Sequence, residues 1–212
     1  MLIELRDKII RHLRRYRYCI LCKRLKNINF TLLSNNCLGA ICLHDIHQPF
    51  LTPTVNAGTV PADFVKFCNN LDYYLSLEMV MSKEESSETV QYGYVGDIRV
   101  YFPHFKYYDE PREKWNIRRH RVNKDNIFIM MTERDDCKYE DLLAFDKLPY
   151  KNKVVFTVRE YPEIKSAFRL KGCVDSQTGQ LGYAYEYPHW WSLKRYVEQF
   201  DLIKWFNNGT SC

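Results

Sequence analysis

Ile28-Asn29-Phe30-Thr31-Leu32-Leu33, stopped by Ser34-Asn35-Asn36 and followed by Cys37-Leu38-Gly39-Ala40, is the stretch on which the fold turns. Its first half is a short β-branched and apolar run ended by turn-forming residues, which predicts a core strand. Its second half opens a short helix over 38–44, so the chain passes from strand to helix through a polar corner. Outward from that corner the alternation repeats. Residues 61–80 read as one long helix, with Pro61 suited to its first turn. Gln91–Val95 and Ile98–Phe102 read as strands, 109–121 as a helix, and the continuous apolar run 126–131 as a buried strand. A helix over Tyr139–Asp146, a strand over 153–157 and two aromatic-rich helices over 189–200 and 201–206 complete the pattern. The polar stretch 82–89 reads as a mobile loop. Strands separated by helices predict an α/β fold: a three-layer sandwich around a mostly parallel sheet, with its ligand crevice beyond the carboxyl ends of the strands.

Upstream of the corner the period changes. Leu2, Leu5, Ile9, Leu13, Tyr16 and Ile20 recur every three or four residues and define one narrow stripe of an amphipathic helix. Residues 1–26 carry nine Lys/Arg against Glu4 and Asp7, or +7, so the whole-chain charge of +5 leaves −2 for the rest. The stripe is expected to dock on the domain or on a second copy, and the flanking arginines also suit an anionic inner-leaflet surface. The division is therefore a basic amphipathic helix at 1–26 and a single α/β domain at 27–212.

At 212 residues, 46% hydrophobic and 27% charged, the chain has the composition of one globular domain and is too short for two full ones. An aromatic share of 15% points to exposed as well as buried rings, as sugar binding requires. No apolar run reaches the roughly 18 residues needed to cross a bilayer. The first helix is broken by Arg or Lys every few residues, unlike a signal peptide, so the expected location is cytoplasmic, with peripheral attachment to the inner membrane face through 1–26 as an option. The eight cysteines are accordingly expected as thiols. Cys19 and Cys22 form a lone CxxC without the second pair that structural zinc requires. The near-neutral body also argues against nucleic acid as a partner.

Three clusters carry candidate chemistry. The corner places Cys37 at a helix N-terminus, where backbone N–H groups favour anions and lower a thiol pKa, and the amides of Asn35 and Asn36 suit an oxyanion. The alternative for Cys37 is a small buried filler. A base for it would come from His44, His47 or His104; the HxxH spacing of His44 and His47 is by itself a weak metal signal, and no metal is expected. In the second cluster, Asp97 and His104 bracket a strand at odd spacing, so they orient one another only if Pro103 bends the chain. The third is Trp115-Asn116-Ile117-Arg118-Arg119-His120-Arg121-Val122-Asn123, whose cations either complement a helix C-terminus or meet donor phosphates. Trp190 and Trp191 read as core anchors or as sugar-stacking rings.

Together these segments resemble the bacterial family of the domain of unknown function 1919, whose members are often labelled exopolysaccharide biosynthesis proteins. The resemblance runs from Phe30 to Asn207 and is carried by Ser34-Asn35-Asn36-Cys37-Leu38-Gly39, Thr52-Pro53-Thr54-Val55-Asn56, Phe64-Val65-Lys66-Phe67-Cys68, Gly96-Asp97, His104, Lys114-Trp115-Asn116-Ile117-Arg118-Arg119, Asn123, Phe145-Asp146-Lys147-Leu148-Pro149, Lys153-Val154-Val155-Phe156 and Phe200-Asp201. Ala40 stands where the family's second glycine is expected. Asn36-Cys37 is also similar to the Gly-Asn-Cys turn of capsule acetyltransferases that bind coenzyme A. The resemblance implies a role in surface polysaccharide biosynthesis and assigns no active site. The expected activity is an acyltransferase acting on a sugar precursor: catalytic Cys37, His104, Asp97 and Asn36; substrate-binding Asn35, Asn56, Arg118, Arg119, Asn123 and His44; coenzyme A thioester as donor and no tightly bound cofactor. The alternative is a non-catalytic glycan or nucleotide-sugar binding component of an assembly complex. A glycosyltransferase ranks third, because Asp135-Asp136 are adjacent where a DxD triad is needed.

Overall fold

A computed structural model describes residues 2–208. In chain order the elements are α1 (Leu2–Arg24), β1 (Thr31–Ser34), α2 (Leu38–Asp45), α3 (Pro61–Asn69), α4 (Leu71–Ser76), β2 (Val80–Ser82), β3 (Gln91–Val95), β4 (Ile98–Phe102), α5 (Glu110–Arg118), β5 (Ile127–Thr132), α6 (Tyr139–Asp146), β6 (Asn152–Thr157), β7 (Ala167–Arg169) and α7 (Leu202–Asn208). The protein is mixed α/β. One sheet holds four parallel strands in the order β1-β5-β6-β7, and a smaller antiparallel sheet runs β2-β3-β4.

The parallel register sets Thr31 beside Ile127, Phe128 beside Asn152 and Val155 beside Ala167. Every residue of β1 and β5 is buried, which explains the unbroken apolar run of β5. Successive side chains of a strand point to opposite faces, and the core divides accordingly. Leu33, Ile129, Met131 and Val155 join α3, α4, α6 and the hairpin residues Val95, Ile98 and Val100 in one cluster. Leu32, Phe128, Met130, Val154 and Phe156 join α2 and α7 in the other. There Phe30 stacks on Phe206 at 4.5 Å and Phe128 meets Trp205 edge-on at 4.9 Å.

β1 lies at the edge of its sheet, and residues 51–59 cover it. Thr31 Oγ1 donates to the Leu51 carbonyl, Ser34 N to Thr54 Oγ1 and Thr59 N to the Asn35 carbonyl. This strap satisfies backbone groups that an open edge would expose.

Two expected elements differ. The helix expected over 61–80 breaks at Asn70, which leaves helical geometry at φ −125°, and its last residues enter β2, where Val80 pairs with Tyr94. The helix expected over 189–200 keeps only a 3-10 turn, Tyr196–Gln199. Arg14 takes the carbonyls of Trp190 and Ser192 at 2.8 and 3.0 Å, acceptors that a helix would have used itself. Residues 83–89 form the expected loop, without helix or strand, and local hydrogen bonds shape it: Ser86 Oγ donates to the Ser82 carbonyl, and Glu85 accepts from Tyr94 and Arg99.

The first helix also docks in an unexpected orientation. Its contacts to the body come from Arg14, from Arg17 paired with Glu198, and from Tyr18 hydrogen-bonded to Tyr187 and to Glu198. Leu21, Cys22 and Leu25 join the core behind them. The stripe of Leu5, Ile9, Leu13, Tyr16 and Ile20 is exposed. Arg14 on two carbonyls and the Tyr187 ring, Arg17 on a carboxylate, and the core contacts of Leu21 and Cys22 hold this helix, and the apolar stripe does not.

Candidate active site

The corner after β1 and the end of β5 face one cavity of about 320 Å³, at the carboxyl edge of the parallel sheet where such folds place ligands. Asn36, Cys37 and Leu38 form one wall, Thr132, Arg134 and Asp135 a second, Tyr101, Pro103 and His104 a third. Tyr183 and Tyr185 complete it, from a segment tied to β5 by Leu181 N donating to the Glu133 carbonyl and Asp135 N donating to Gln180 Oε1.

Two asparagines hold the corner. Asn35 is fully buried and its Oδ1 accepts from Thr132 N at 3.1 Å, joining the ends of β1 and β5. Asn36 Oδ1 accepts from Leu38 N, closing the start of α2, and its Nδ2 donates to Thr132 Oγ1 at 2.6 Å. Gly39 allows α2 to sit on β1, since a Cβ there would lie 2.6 Å from Ser34 Cβ. Cys37 occupies the N-cap of α2 in helical backbone geometry, and burial pushes its thiol above the ordinary value. That direction opposes the lowering expected of a helix N-terminus: desolvation disfavours the thiolate and outweighs the backbone hydrogen bond that favours it.

The third wall is set by a two-bond bridge. Gly58 N donates to the Tyr101 carbonyl and Tyr101 N to the Gly58 carbonyl, both at 2.8 Å. A Cβ on Gly58 would fall 2.2 Å from the Tyr101 ring, so only glycine lets that ring lie across the strap. The Tyr101 hydroxyl donates to Asp135 Oδ2 at 3.4 Å, and burial followed by the Asp135 charge raises its pKa.

Arg134 supplies the cavity's cation. Its guanidinium lies 4.2 Å from the Tyr183 ring centroid and 3.7 Å from Asp135, and among the described residues its buried Nη1 has no hydrogen-bond partner. Asp135 and Asp136 that follow have φ of 58° and 64°, turning the chain sharply away from β5. Backbone in this region collects at ligand sites.

Of the residues expected from sequence, Asn36, Cys37 and His104 share the cavity, and Asn35 lies directly behind it. Asp97 does not meet His104. It sits in the β3–β4 turn, bound to Lys66 Nζ at 2.8 Å and Tyr74 OH at 2.9 Å, and those two partners hold its carboxyl below the ordinary range. β4 separates the pair by about five residues, or roughly 17 Å.

Arg118 donates to the Val55 carbonyl, buttressing the strap, and Arg119 donates to the carbonyls of Leu75 and Ser76 at the end of α4. Neither lines the cavity; both complete backbone acceptors. Asn56 is a left-handed residue of the strap, with φ 57°. Asn123 lies at the opposite end of β1, its N–H on Thr31 Oγ1 and its Nδ2 on the Asn29 carbonyl. His44 is exposed on the last turn of α2, and among the described residues no group of three His, Cys, Asp or Glu is placed to hold a metal. Trp190 and Trp191 are exposed beside α1, with Arg6 over Trp190.

Sequence reasoning missed Arg134, Tyr101, Tyr183 and Tyr185. Arg134 was reachable: it follows the strand 126–131, and residues just past a parallel strand are the ones that face ligand. Tyr183 and Tyr185 carry no local signal, since their segment lacks regular structure.

A second cavity, of about 280 Å³, lies between α1 and the C-terminal segment. Two ion pairs run along it, Arg195 with Asp45 and Arg17 with Glu198, the second joining α1 to the C-terminal segment, so it reads as a docking seam.

The sequence profile of a family described as Domain of unknown function (DUF1919) matches residues 9–207. An "Uncharacterized protein" of Haemophilus influenzae is 42% identical over 187 residues, which cover 88% of each chain.

Proposed function

From a chain that belongs to the DUF1919 family, we propose a protein that binds an anionic sugar at the carboxyl edge of its parallel sheet. The observation that carries this reading is the buried, unpartnered Nη1 of Arg134 in a cavity lined by Tyr101, Tyr183 and Tyr185. A guanidinium nitrogen without a protein acceptor is a site for phosphate or carboxylate oxygen, and tyrosine faces suit the apolar faces of a pyranose. Asp135, Thr132 and the second N–H of the Asn36 amide are at hand for hydroxyls. The cavity volume of about 320 Å³ is at the lower end for ligand pockets. It therefore accommodates a monosaccharide with one charged group, or the sugar-phosphate half of a nucleotide-sugar.

A second reading, acyl transfer to such a sugar, is supported by Asn36, Cys37 and His104 lining that same cavity. In this reading His104 takes the proton of the acceptor hydroxyl as it attacks a coenzyme A thioester, coenzyme A leaves as the thiol, and Asn36 Nδ2 meets the oxyanion. Cys37, its thiolate disfavoured by burial, is a wall residue there rather than an acyl carrier. A role in exopolysaccharide precursor handling fits either reading.

The test is calorimetric titration with a panel of sugar phosphates, uronic acids, nucleotide-sugars and their neutral counterparts. Binding of an anionic member that weakens about tenfold or more in Arg134→Gln, consistent with loss of a charge-assisted bond, is the expected result. Equal affinity for neutral and charged sugars, or an Arg134→Gln variant that binds as tightly, overturns it. Loss of acyl-coenzyme A consumption in His104→Ala but not in Cys37→Ser distinguishes the second reading.

A further inference from the structure

We infer that the outward face of α1 is a docking surface for an anionic lipid bilayer, on which the helix lies in the plane of the membrane surface. Leu5, Ile9, Leu13, Tyr16 and Ile20 are between 41% and 65% exposed. At about 100° per residue they occupy an arc of roughly 80°. The residues that fasten α1 to the body, Arg14, Tyr18, Leu21 and Leu25, project from the other side. The docked helix therefore leaves an apolar stripe some four turns long facing away from the protein.

The charges beside the stripe select its occupant. On the same helical wheel, exposed Lys8 and Arg15 border one edge, and Arg6 and Arg24 the other. Of the two acids among residues 1–26, Asp7 lies on the body side, paired with Arg6, and Glu4 falls beside Lys8 and Arg15, which leave that border net positive. A second copy packed stripe to stripe would bring two such basic borders together, each from a segment of net charge +7. A bilayer carrying anionic headgroups meets the same borders with opposite charge and receives the apolar residues between them. Exposed Trp190 and Trp191 adjoin this surface through the contact of Arg6 with Trp190, and tryptophan is the ring that favours the membrane interface. Among the described residues no helix is long and apolar enough to cross a membrane, so the surface fits peripheral attachment.

The experiment is vesicle flotation of the full chain with phosphatidylcholine alone and with about 30% phosphatidylglycerol, at low and at high salt. Ile9→Glu/Leu13→Glu is run beside the wild type, with light scattering for mass and a thermal melt for fold. The expected result is flotation with the anionic vesicles only, weakened by salt and reduced about tenfold or more in the double variant, whose melting temperature is unchanged because both positions face solvent. Three outcomes overturn the inference: no flotation, equal flotation with neutral vesicles, or a wild-type dimer that the double variant dissociates. The last would assign the stripe to a second copy.

Discussion

Cys37 shows how one side chain's surroundings can reverse a rule drawn from its position. Helix N-termini lower thiol pKa values, yet this thiol is half-buried against Tyr101 and Tyr185, and loss of hydration moves it the other way. The sign has a direct consequence. With its pKa above the ordinary thiol value, the group is protonated at neutral pH, and the reactive thiolate accumulates only as pH rises past that value. Iodoacetamide labelling followed by mass spectrometry should find Cys37 modified more slowly than exposed Cys19 at neutral pH, with the Cys37 rate still climbing as pH is raised past the ordinary thiol value. A Cys37 that labels faster than Cys19 at neutral pH would restore the nucleophile. Asn36 is a related case, because its amide serves first as structure, closing α2 and reaching Thr132, and has one N–H left for a ligand.

Between elements, the cavity depends on how the β3–β4 hairpin is attached to the parallel sheet. The Gly58–Tyr101 bridge makes that attachment, carrying Pro103 and His104 to the corner after β1. Gly58→Ala forces a methyl into the Tyr101 ring, so the ring or the strap must move. The expected cost is about 1–3 kcal/mol of stability, as for overpacking elsewhere, together with weakened sugar binding. Chemical denaturation and titration of the same variant check both parts; unchanged affinity with reduced stability would mean that Tyr101 is not part of the ligand wall. The segment 189–192 illustrates the same scale, since its carbonyls are taken by Arg14 of a helix distant in the chain.

For the whole molecule, the decisive feature is a single parallel sheet with an apolar cluster on each face. Strands β1, β5 and β6 contribute to both clusters, so the two faces are expected to unfold together. Phe64→Ala in one cluster and Phe206→Ala in the other should each cost about 3–5 kcal/mol and shift the same single unfolding transition. Coincident near- and far-ultraviolet circular dichroism melts test this, and two separate transitions in either variant would show that the faces unfold independently. Period and punctuation in the sequence were enough for the mixed α/β character, the buried strands β5 and β6, the hairpin strands and the strand-to-helix corner, because each follows from local side-chain alternation and turn chemistry. The same local information identified Asn36, Cys37 and His104 as candidates. Tertiary structure alone decided which candidates meet. It separated Asp97, Arg118, Arg119 and Asn123 from the cavity, brought Arg134 and three tyrosines into it, and turned the apolar stripe of α1 outward. These outcomes depend on long-range competition for hydrogen-bond acceptors and on desolvation, neither of which a short window of sequence contains.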